Sequence, residues 1–156
     1  MGTFIEDLAK GEKMEEKAID ILNNNWINVI KNPDKKWMDL LLLENWIEIK
    51  FDEYAIYSWN FYIEFECNSK PSWIFKEEKI NLKYWGHSDG KELFLLEGKS
   101  FRRWVAERIE EAREKNTSLS SDWFMVVEKW WNGWRTKWLV LKVELLKKQA
   151  YKKYIL

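Results

Sequence analysis

The order of hydrophobic patterns along the chain predicts one α/β domain built around a mixed β-sheet. An amphipathic helical pattern comes first, several short apolar or alternating segments follow, and a second helical pattern precedes two further strand-like segments. The length of 156 residues suits a single domain, and 46% hydrophobic with 33% charged residues is a globular composition. No apolar run approaches the roughly 20 residues of a membrane-spanning helix, and the start lacks the apolar core of a signal peptide. We therefore expect a cytoplasmic protein without a membrane partner.

The first half of the chain is predicted to supply one helix and four strands. Apolar residues recur at helical spacing over 4–23, and the run of asparagines that follows ends this helix. A short β-branched strand is predicted at 26–30. MDLLLL at 38–43 and WIEIKF at 46–51 then form a hairpin. NFYIEFEC at 60–67 alternates apolar and polar residues, as a half-buried strand does.

The second half is predicted to add a strand, a helix and two late strands. ELFLLE at 92–97 is typical of a buried strand, and Ser100 is a favourable N-cap for a helix over 101–115. The segments 122–127 and 138–143 predict the late strands, and the Lys-rich end predicts a terminal helix. Together these elements predict a sheet flanked by helices.

The rarest residue types exclude several chemistries. Cys67 is the only cysteine and His87 the only histidine, so a zinc finger, a cysteine cluster or a disulfide framework within one chain is impossible. Cys67 is interpreted as a small buried hydrophobe, and His87, which follows YWG, as part of a turn. Any bound metal must therefore take mainly oxygen ligands, which favours hard cations such as Mg²⁺ or Mn²⁺.

The net charge is zero, but the charges are not spread evenly. From Lys129 onward there are eight basic residues and one acid, Glu144, whereas residues 1–128 hold 18 basic and 25 acidic residues. This pattern predicts one domain over 1–156 with a basic C-terminal tail at about 129–156. Such a tail suits contact with a phosphate backbone, and a solvated terminal helix explains it equally well.

Three polar residues interrupt the predicted hairpin. Side chains alternate across a strand, so Glu48 and Lys50 share one face. A two-residue turn at 44–45 or 45–46 places Asp39 on the same face, whereas a three-residue loop does not. Two carboxylates and an ammonium group in one patch are costly to bury unless a divalent cation lies between the carboxylates.

The first helix offers a further carboxylate. At about 100° per residue, Glu15 falls between Ala18 and Leu22 inside the apolar stripe, whereas Glu16 falls outside it. An acid on the buried side of a helix is unusual, so Glu15 is the natural third carboxylate beside the hairpin.

These residues form the pattern D-x8-E-x-K at Asp39, Glu48 and Lys50, preceded by E-x-x-A-x-x-x-L beginning at Glu15. The pattern resembles the PD-(D/E)xK nuclease superfamily, which includes Holliday-junction resolvases, restriction enzymes and phage recombination nucleases. The stretch KFDEYAIYSWNFYIEFECNSKPSWI further resembles phage and bacterial members with K-x-D, T-G-N, I-E-x-E and P-S-G in that order. The resemblance covers about residues 11–110.

The resemblance implies a restriction-endonuclease-like core and a metal-dependent DNA endonuclease of recombination or repair, acting on duplex or branched DNA. Asp39 and Glu48 would ligate Mg²⁺ or Mn²⁺ together with the backbone carbonyl of Ile49. Glu15 would bind the metal directly or through a water molecule. Lys50 would position the attacking water and stabilise the charge that develops on the phosphate. Resolvase-like members are symmetric dimers, which makes a homodimer possible here by analogy.

Several alternatives remain open from the sequence. The literal PD dipeptide is Pro33–Asp34, which lies off the hairpin, so Asp34 is a reserve for Asp39, as Glu16 is for Glu15. The alternative function is a catalytically inactive nucleic-acid-binding module of the same fold. A third reading is a cluster of ion pairs that only stabilises the fold.

Twelve tryptophans in 156 residues is several times ordinary usage. Trp59 and Trp73 occupy the glycine positions of the T-G-N and P-S-G motifs, and Trp46 lies at the predicted hairpin turn. Others also lie beside predicted turns, namely Trp26, Trp37, Trp123, Trp134 and Trp138. We hypothesise that the source reads UGA as glycine and that tryptophan stands at those codons. Trp85 and Trp104 fit motif or helix positions and are interpreted as native tryptophans.

Overall fold

The computed structural model describes residues 4–33, 40–42, 45–79, 82–115, 124–131 and 133–156. The α-helices in these ranges are α1 (Phe4–Asn24), α2 (Ala55–Ser58), α3 (Gly98–Lys115) and α4 (Val143–Gln149). The first five strands are β1 (Ile30–Lys31), β2 (Leu40–Leu42), β3 (Asn45–Phe51), β4 (Asn60–Cys67) and β5 (Lys70–Pro71). The later strands are β6 (Leu82–Ser88), β7 (Glu92–Glu97), β8 (Phe124–Trp131), β9 (Trp134–Lys142) and β10 (Lys152–Ile155). Two short 3-10 helices, Trp73–Phe75 and Glu77–Lys79, lie between β5 and β6.

The strands form two sheets. The first has the order β1-β2-β3-β6-β7-β10; β3 and β6 run parallel and the other neighbouring pairs run antiparallel. The second has the order β5-β4-β9-β8 and is antiparallel. The prediction of an α/β chain with a mixed sheet and flanking helices is thus confirmed. Across the described part of the chain, no helix is long and apolar enough to cross a membrane.

Two hydrophobic cores hold these layers together. The first joins the two sheets and α3, with Phe61, Leu139, Trp85, Phe94 and Val105 all fully buried. The second packs α1 onto the other face of the first sheet through the residues Met14, Ala18, Leu22, Ile47 and Leu95. The first sheet is therefore covered on both faces, so a polar side chain on either face is enclosed by other parts of the chain.

The β2–β3 hairpin has the even loop that a shared face for its polar residues requires. Leu42 pairs with Asn45, and Leu40 pairs with Ile47, so two residues separate the paired positions. The paired positions put the connection one residue earlier than the predicted turn at 44–45 and two residues earlier than the one at 45–46, because Asn45 is already part of β3. Asp39 itself lies outside the described residues.

The prediction of a strand at 26–30 is wrong except for Ile30, which begins β1. Residues 25 and 26 form a turn beyond α1, and Ile30 with Lys31 forms the two-residue β1. The β-branched composition of the segment favoured a strand, but the turn that closes α1 takes up its first residues.

The start of α3 also differs from the prediction. The helix begins at Gly98, and Glu97 rather than Ser100 caps it. The Glu97 carboxylate accepts the backbone N–H of Ser100 at 2.7 Å and that of Lys99 at 3.3 Å. A carboxylate before the first turn also interacts favourably with the positive end of the helix dipole.

The basic C-terminal segment is part of the fold. The terminal helix is present as α4, but the chain then continues as β10, which pairs antiparallel with β7. Lys147 and Lys153 lie 3.3 and 3.0 Å from the carboxylate of Glu92. These lysines are therefore already partnered, which weakens the argument that the segment is a free phosphate-binding tail.

Candidate functional site

The candidate site begins with the two polar residues in the middle of β3. Ile47 and Ile49 of this strand pack against α1 in the second core. Glu48 and Lys50 alternate with them and therefore face the other way, towards the second sheet. Glu48 is only 4% exposed, which is unusual for a carboxylate and requires strong partners.

Two lysines provide those partners. Lys50 Nζ lies 2.5 Å from Glu48 Oε1, and Lys79 Nζ donates a hydrogen bond to Glu48 Oε2. The Lys79 side chain is 7% exposed and that of Lys50 is 28% exposed. One lysine therefore holds the carboxylate from inside the protein, and the other approaches it from the solvent side.

The charge state of Glu48 follows from this geometry. Burial raises the pKa of the Glu48 carboxyl, but the ammonium groups of Lys50 and Lys79 outweigh burial. The pKa therefore lies below its ordinary value of 4.5, and the side chain is ionised at neutral pH.

Lys79 had no signal in the sequence. It comes from the charged run KEEK at 76–79, which is typical of an exposed turn, yet it is almost completely buried. Arg102 of α3 holds the backbone that leads to Lys79. The Arg102 guanidinium donates a hydrogen bond of 2.7 Å to the carbonyl of Ile74. The contact that brings Lys79 to Glu48 joins residues 31 positions apart and thus depends on the tertiary fold.

The neighbouring strand β6 lies parallel to β3 and completes the floor of the site. Gly86 pairs with Ile49, and His87 pairs with Lys50. A Cβ atom at position 86 would lie 2.4 Å from the Cδ1 atom of Ile49, so any other residue here requires the Ile49 side chain to move. The prediction that His87 belongs to a turn is wrong, because it lies within β6 and is fully buried.

His87 is neutral in this environment. Burial, together with the nearby charge of Lys50, lowers its pKa to about 3. Trp85 Nε1 donates to His87 Nδ1 at 3.4 Å, and the ring packs edge-on against Phe61 with centroids 4.2 Å apart. The Nε2 atom has no hydrogen-bond partner within the described residues. The histidine is therefore a packed core residue beside the site.

The Trp73 ring lies beside the Lys50 side chain. The Lys50 ammonium lies 5.6 Å from the centroid of its indole ring, a cation–π contact. The same ring packs against Trp85 and Trp138 with centroids 6.1 and 5.4 Å away. The more exposed of the two lysines is thus partly covered by an aromatic ring.

Asp52 fixes the chain just beyond Lys50. Its carboxylate accepts the backbone N–H of Tyr54 and that of Tyr62, each at 3.1 Å. Burial raises the pKa of Asp52 above 3.8 despite these hydrogen bonds. Because Tyr62 belongs to β4, this carboxylate ties the end of β3 in the first sheet to the second sheet.

Glu15 is half-buried on α1, as its position in the apolar stripe predicted, and Glu16 is exposed. Glu15 Oε2 lies 3.6 Å from Lys31 Nζ. Its helix packs on the face of the sheet formed by Ile47 and Ile49, which is opposite to the face that carries Glu48. The structure thus joins Glu48 to the two lysines, and Glu15 to Lys31. Asp39 and its reserve Asp34 lie outside the described residues.

The described part of the site offers two oxygen donors of the kind that Mg²⁺ and Mn²⁺ prefer, the Glu48 carboxylate and the Ile49 carbonyl. Among the described residues, no group of three or more His, Cys, Asp or Glu residues could hold a metal ion. Asp39 is not among them. Of the two Glu48 oxygens, the one beside Lys50 is the less enclosed, since the Lys50 side chain is 28% exposed and that of Lys79 is 7% exposed.

Comparisons with protein-family models, curated proteins and solved structures gave no match.

Proposed function

We propose that the protein is a divalent-metal-dependent DNA endonuclease of the PD-(D/E)xK type on a restriction-endonuclease-like core. The observation that carries the proposal is the pair formed by Glu48 and Lys50 on one face of β3, with their charged atoms 2.5 Å apart. An ionised carboxylate beside a partly exposed ammonium group is the arrangement that the E-x-K motif requires. The even β2–β3 loop supports the placement of Asp39 on the same face.

The two lysines suit different roles. Lys79 is enclosed and neutralises Glu48 from within, so it stabilises the buried carboxylate. Lys50 is more exposed and can leave Glu48 without leaving that carboxylate unpaired. In the proposed reaction, Lys50 therefore turns to the scissile phosphate, orients the attacking water and stabilises the charge that develops on the phosphate oxygens.

The metal would be held by Asp39, Glu48 and the carbonyl of Ile49, with Glu15 as a further ligand, directly or through water. Mg²⁺ or Mn²⁺ in such a site supplies a nucleophile at neutral pH and neutralises charge on the phosphate. Because α1 covers the opposite face of the sheet, Glu15 belongs to this ligand set through the family resemblance alone.

The proposed substrate is DNA, duplex or branched, and a homodimer and a cytoplasmic location remain expectations. The lysines that the structure pairs with Glu92 are poor candidates for binding the phosphate backbone. Arg103 of α3 is an exposed basic residue and a better one.

A catalytically inactive nucleic-acid-binding module is the second candidate. The observation that favours it is that both oxygens of Glu48 are engaged by lysines, Oε1 by Lys50 and Oε2 by Lys79. If neither contact can be exchanged for a cation, the charged trio of Glu48, Lys50 and Lys79 only stabilises the fold.

A cleavage panel tests the proposal. Linear, nicked, flapped and four-way DNA are incubated with Mg²⁺ or Mn²⁺ and with wild type, Lys50→Ala or Glu48→Gln. Glu66→Gln is the matched control, since it removes another ion-paired carboxylate, 2.6 Å from Lys137, on the second sheet. We expect metal-dependent cleavage by wild type and Glu66→Gln, and a loss of cleavage in the two site variants whose fold is verified by circular dichroism.

Binding of DNA without cleavage under any divalent metal would overturn the nuclease proposal in favour of the binding module. Failure both to bind and to cleave would leave only the structural role of the trio.

A further inference from the structure

Three tryptophans have a backbone conformation that suits glycine. The φ angles are 65° at Trp26, 57° at Trp59 and 47° at Trp73, all in the left-handed region. A bulky side chain in this region is a true outlier, because its Cβ atom crowds the neighbouring carbonyl. Trp26 is 94% exposed and Trp59 71% exposed, so their rings gain little packing to offset this strain.

Trp26 follows the C-terminal end of α1, at the left-handed capping position where glycine is the most frequent residue. Its N–H donates to the carbonyl of Asn23 at 3.1 Å, and the next N–H, of Ile27, donates to Leu22 at 2.9 Å. This pair of hydrogen bonds is the Schellman motif, with Trp26 as the left-handed residue just beyond the helix. Ile27 and Leu22 also share the second core, the apolar contact that usually accompanies the motif.

Trp59 and Trp73 occupy comparable turns. Trp59 ends α2, and its N–H donates to the carbonyl of Ala55 at 2.9 Å, the single bond of a left-handed helix cap. Trp73 is the first central residue of a turn closed by the Phe75 N–H and the Ser72 carbonyl at 3.0 Å. A positive φ at that position of a turn is dominated by glycine, asparagine and aspartate.

The UGA hypothesis does not extend to every tryptophan beside a predicted turn. Trp46 lies in β3, and Trp134 and Trp138 lie in β9, none of them with a positive φ. Trp37 and Trp123 lie outside the described residues. The structure therefore selects positions 26, 59 and 73.

We propose that positions 26, 59 and 73 are glycine positions encoded by UGA, and that glycine at 73 uncovers the Lys50 ammonium of the candidate site. The assignment of glycine to these positions depends on backbone geometry alone. The uncovering of Lys50 rests on the proposed nuclease function, in which the lysine beneath the Trp73 ring must reach a phosphate. Tryptophan at 73 then acts as a plug, meaning that its indole covers the Lys50 ammonium, and glycine leaves this group accessible.

The gene provides the first test. We expect UGA at codons 26, 59 and 73, and UGG at codon 85, whose tryptophan is fully buried within β6. UGG at all three positions overturns the recoding part of the proposal.

The second test compares glycine with alanine at the same position, because both variants lose the indole and differ only in tolerance of a positive φ. We expect the glycine variant to unfold at a higher urea concentration than the alanine variant at 26, 59 and 73. Trp130, 72% exposed in the extended strand β8, is the matched control. At this position we expect the alanine variant to unfold at a higher urea concentration than the glycine variant. If the alanine variant unfolds at a higher urea concentration than the glycine variant at all three test positions, these are not glycine positions.

The third test asks whether the indole covers Lys50. The acylation rate of Lys50 by an amine-reactive ester is followed by peptide mass spectrometry, without metal or DNA. We expect a several-fold increase in Trp73→Gly and in Trp73→Ala, and none in Trp59→Gly, which relieves strain away from the site. An unchanged rate in both position-73 variants overturns the plug.

DNA cleavage by the same variants separates this inference from the proposed function. Faster cleavage by Trp73→Gly, abolished in Trp73→Gly/Lys50→Ala, supports both. Faster acylation with no cleavage by any variant supports the plug and overturns the nuclease.

Discussion

Glutamine in place of Glu48 keeps the size of the side chain and removes the charge that pairs with Lys50 and Lys79. The glutamine removes the negative charge of Glu48 from beside the Lys79 ammonium, whose side chain is 7% exposed. Removing one partner of a buried ion pair costs about 3–5 kcal/mol, because the remaining charge stays desolvated. Lys50, with a 28% exposed side chain, can turn to solvent and adds little to this cost. We therefore expect Glu48→Gln to lower the free energy of unfolding by about 3–5 kcal/mol.

Lys50→Ala provides the matched comparison within the trio. It removes the exposed partner and leaves Glu48 paired with Lys79, so we expect a cost of about 0–1 kcal/mol, as for other exposed ion pairs. Glu48→Gln/Lys79→Met replaces both members of the buried ion pair. Its loss should therefore be smaller than the sum of the two single losses, by about 0.5–3 kcal/mol.

The pH dependence gives a second measure of the same interaction. The pKa of Glu48 in the folded protein lies below its ordinary value of 4.5, so the unfolded chain binds a proton at this site more readily. The stabilisation is present above pH 4.5 and is lost as the pH falls through the lower folded-state pKa. The difference in stability between wild type and Glu48→Gln should therefore shrink as the pH drops below 4.5.

Urea unfolding followed by tryptophan fluorescence, at several pH values and with the slope of each transition checked, measures all of these quantities. A cost of less than about 1 kcal/mol for Glu48→Gln at pH 7, or an equal cost for Lys50→Ala and Glu48→Gln, would contradict the role of Lys79 as the buried partner of Glu48. A stability difference between wild type and Glu48→Gln that does not depend on pH would contradict the lowered pKa of Glu48.

Three further predictions concern residues around the site and can be measured as shifts in the urea midpoint. Glu97→Ala removes the cap of α3 and should cost about 1 kcal/mol, and an equal stability of both proteins would show that the helix needs no cap. Asp52→Ala deprives the Tyr62 N–H of its acceptor between the two sheets and should cost about 1–3 kcal/mol; a neutral result would mean that water replaces the carboxylate. Gly86→Ala forces the new methyl group against the Ile49 side chain and should cost about 1–3 kcal/mol, whereas a stabilised variant would show that Ile49 moves aside without loss of packing.

The sequence predicted those parts of the fold that local periodicity controls. Alternation along 46–51 placed Glu48 and Lys50 on one face, and helical spacing over 4–23 placed Glu15 at the edge of a buried stripe. Both features depend on residues within a few positions of one another, so the chain itself encodes them.

The element ends were predicted less well, because competing local signals decide them. The hairpin connection lies one residue before the earlier of the two predicted turns because Asn45 belongs to β3, and Glu97 rather than Ser100 caps the helix. Neighbouring turn positions and neighbouring cap residues differ little in free energy, so the packing of the adjacent segments decides which of them is used.

The chain by itself determined that a carboxylate and a lysine stand side by side on a buried strand, and that tryptophan occupies turn positions. The tertiary structure alone decided that Lys79, 31 residues beyond Glu48, supplies the inner counter-charge, and that the Trp73 ring lies over Lys50. It also decided that His87 is enclosed and neutral. The physical reason is that burial, charge pairing and pKa depend on which distant segments share a face of the sheet. No local pattern in the sequence specifies that choice.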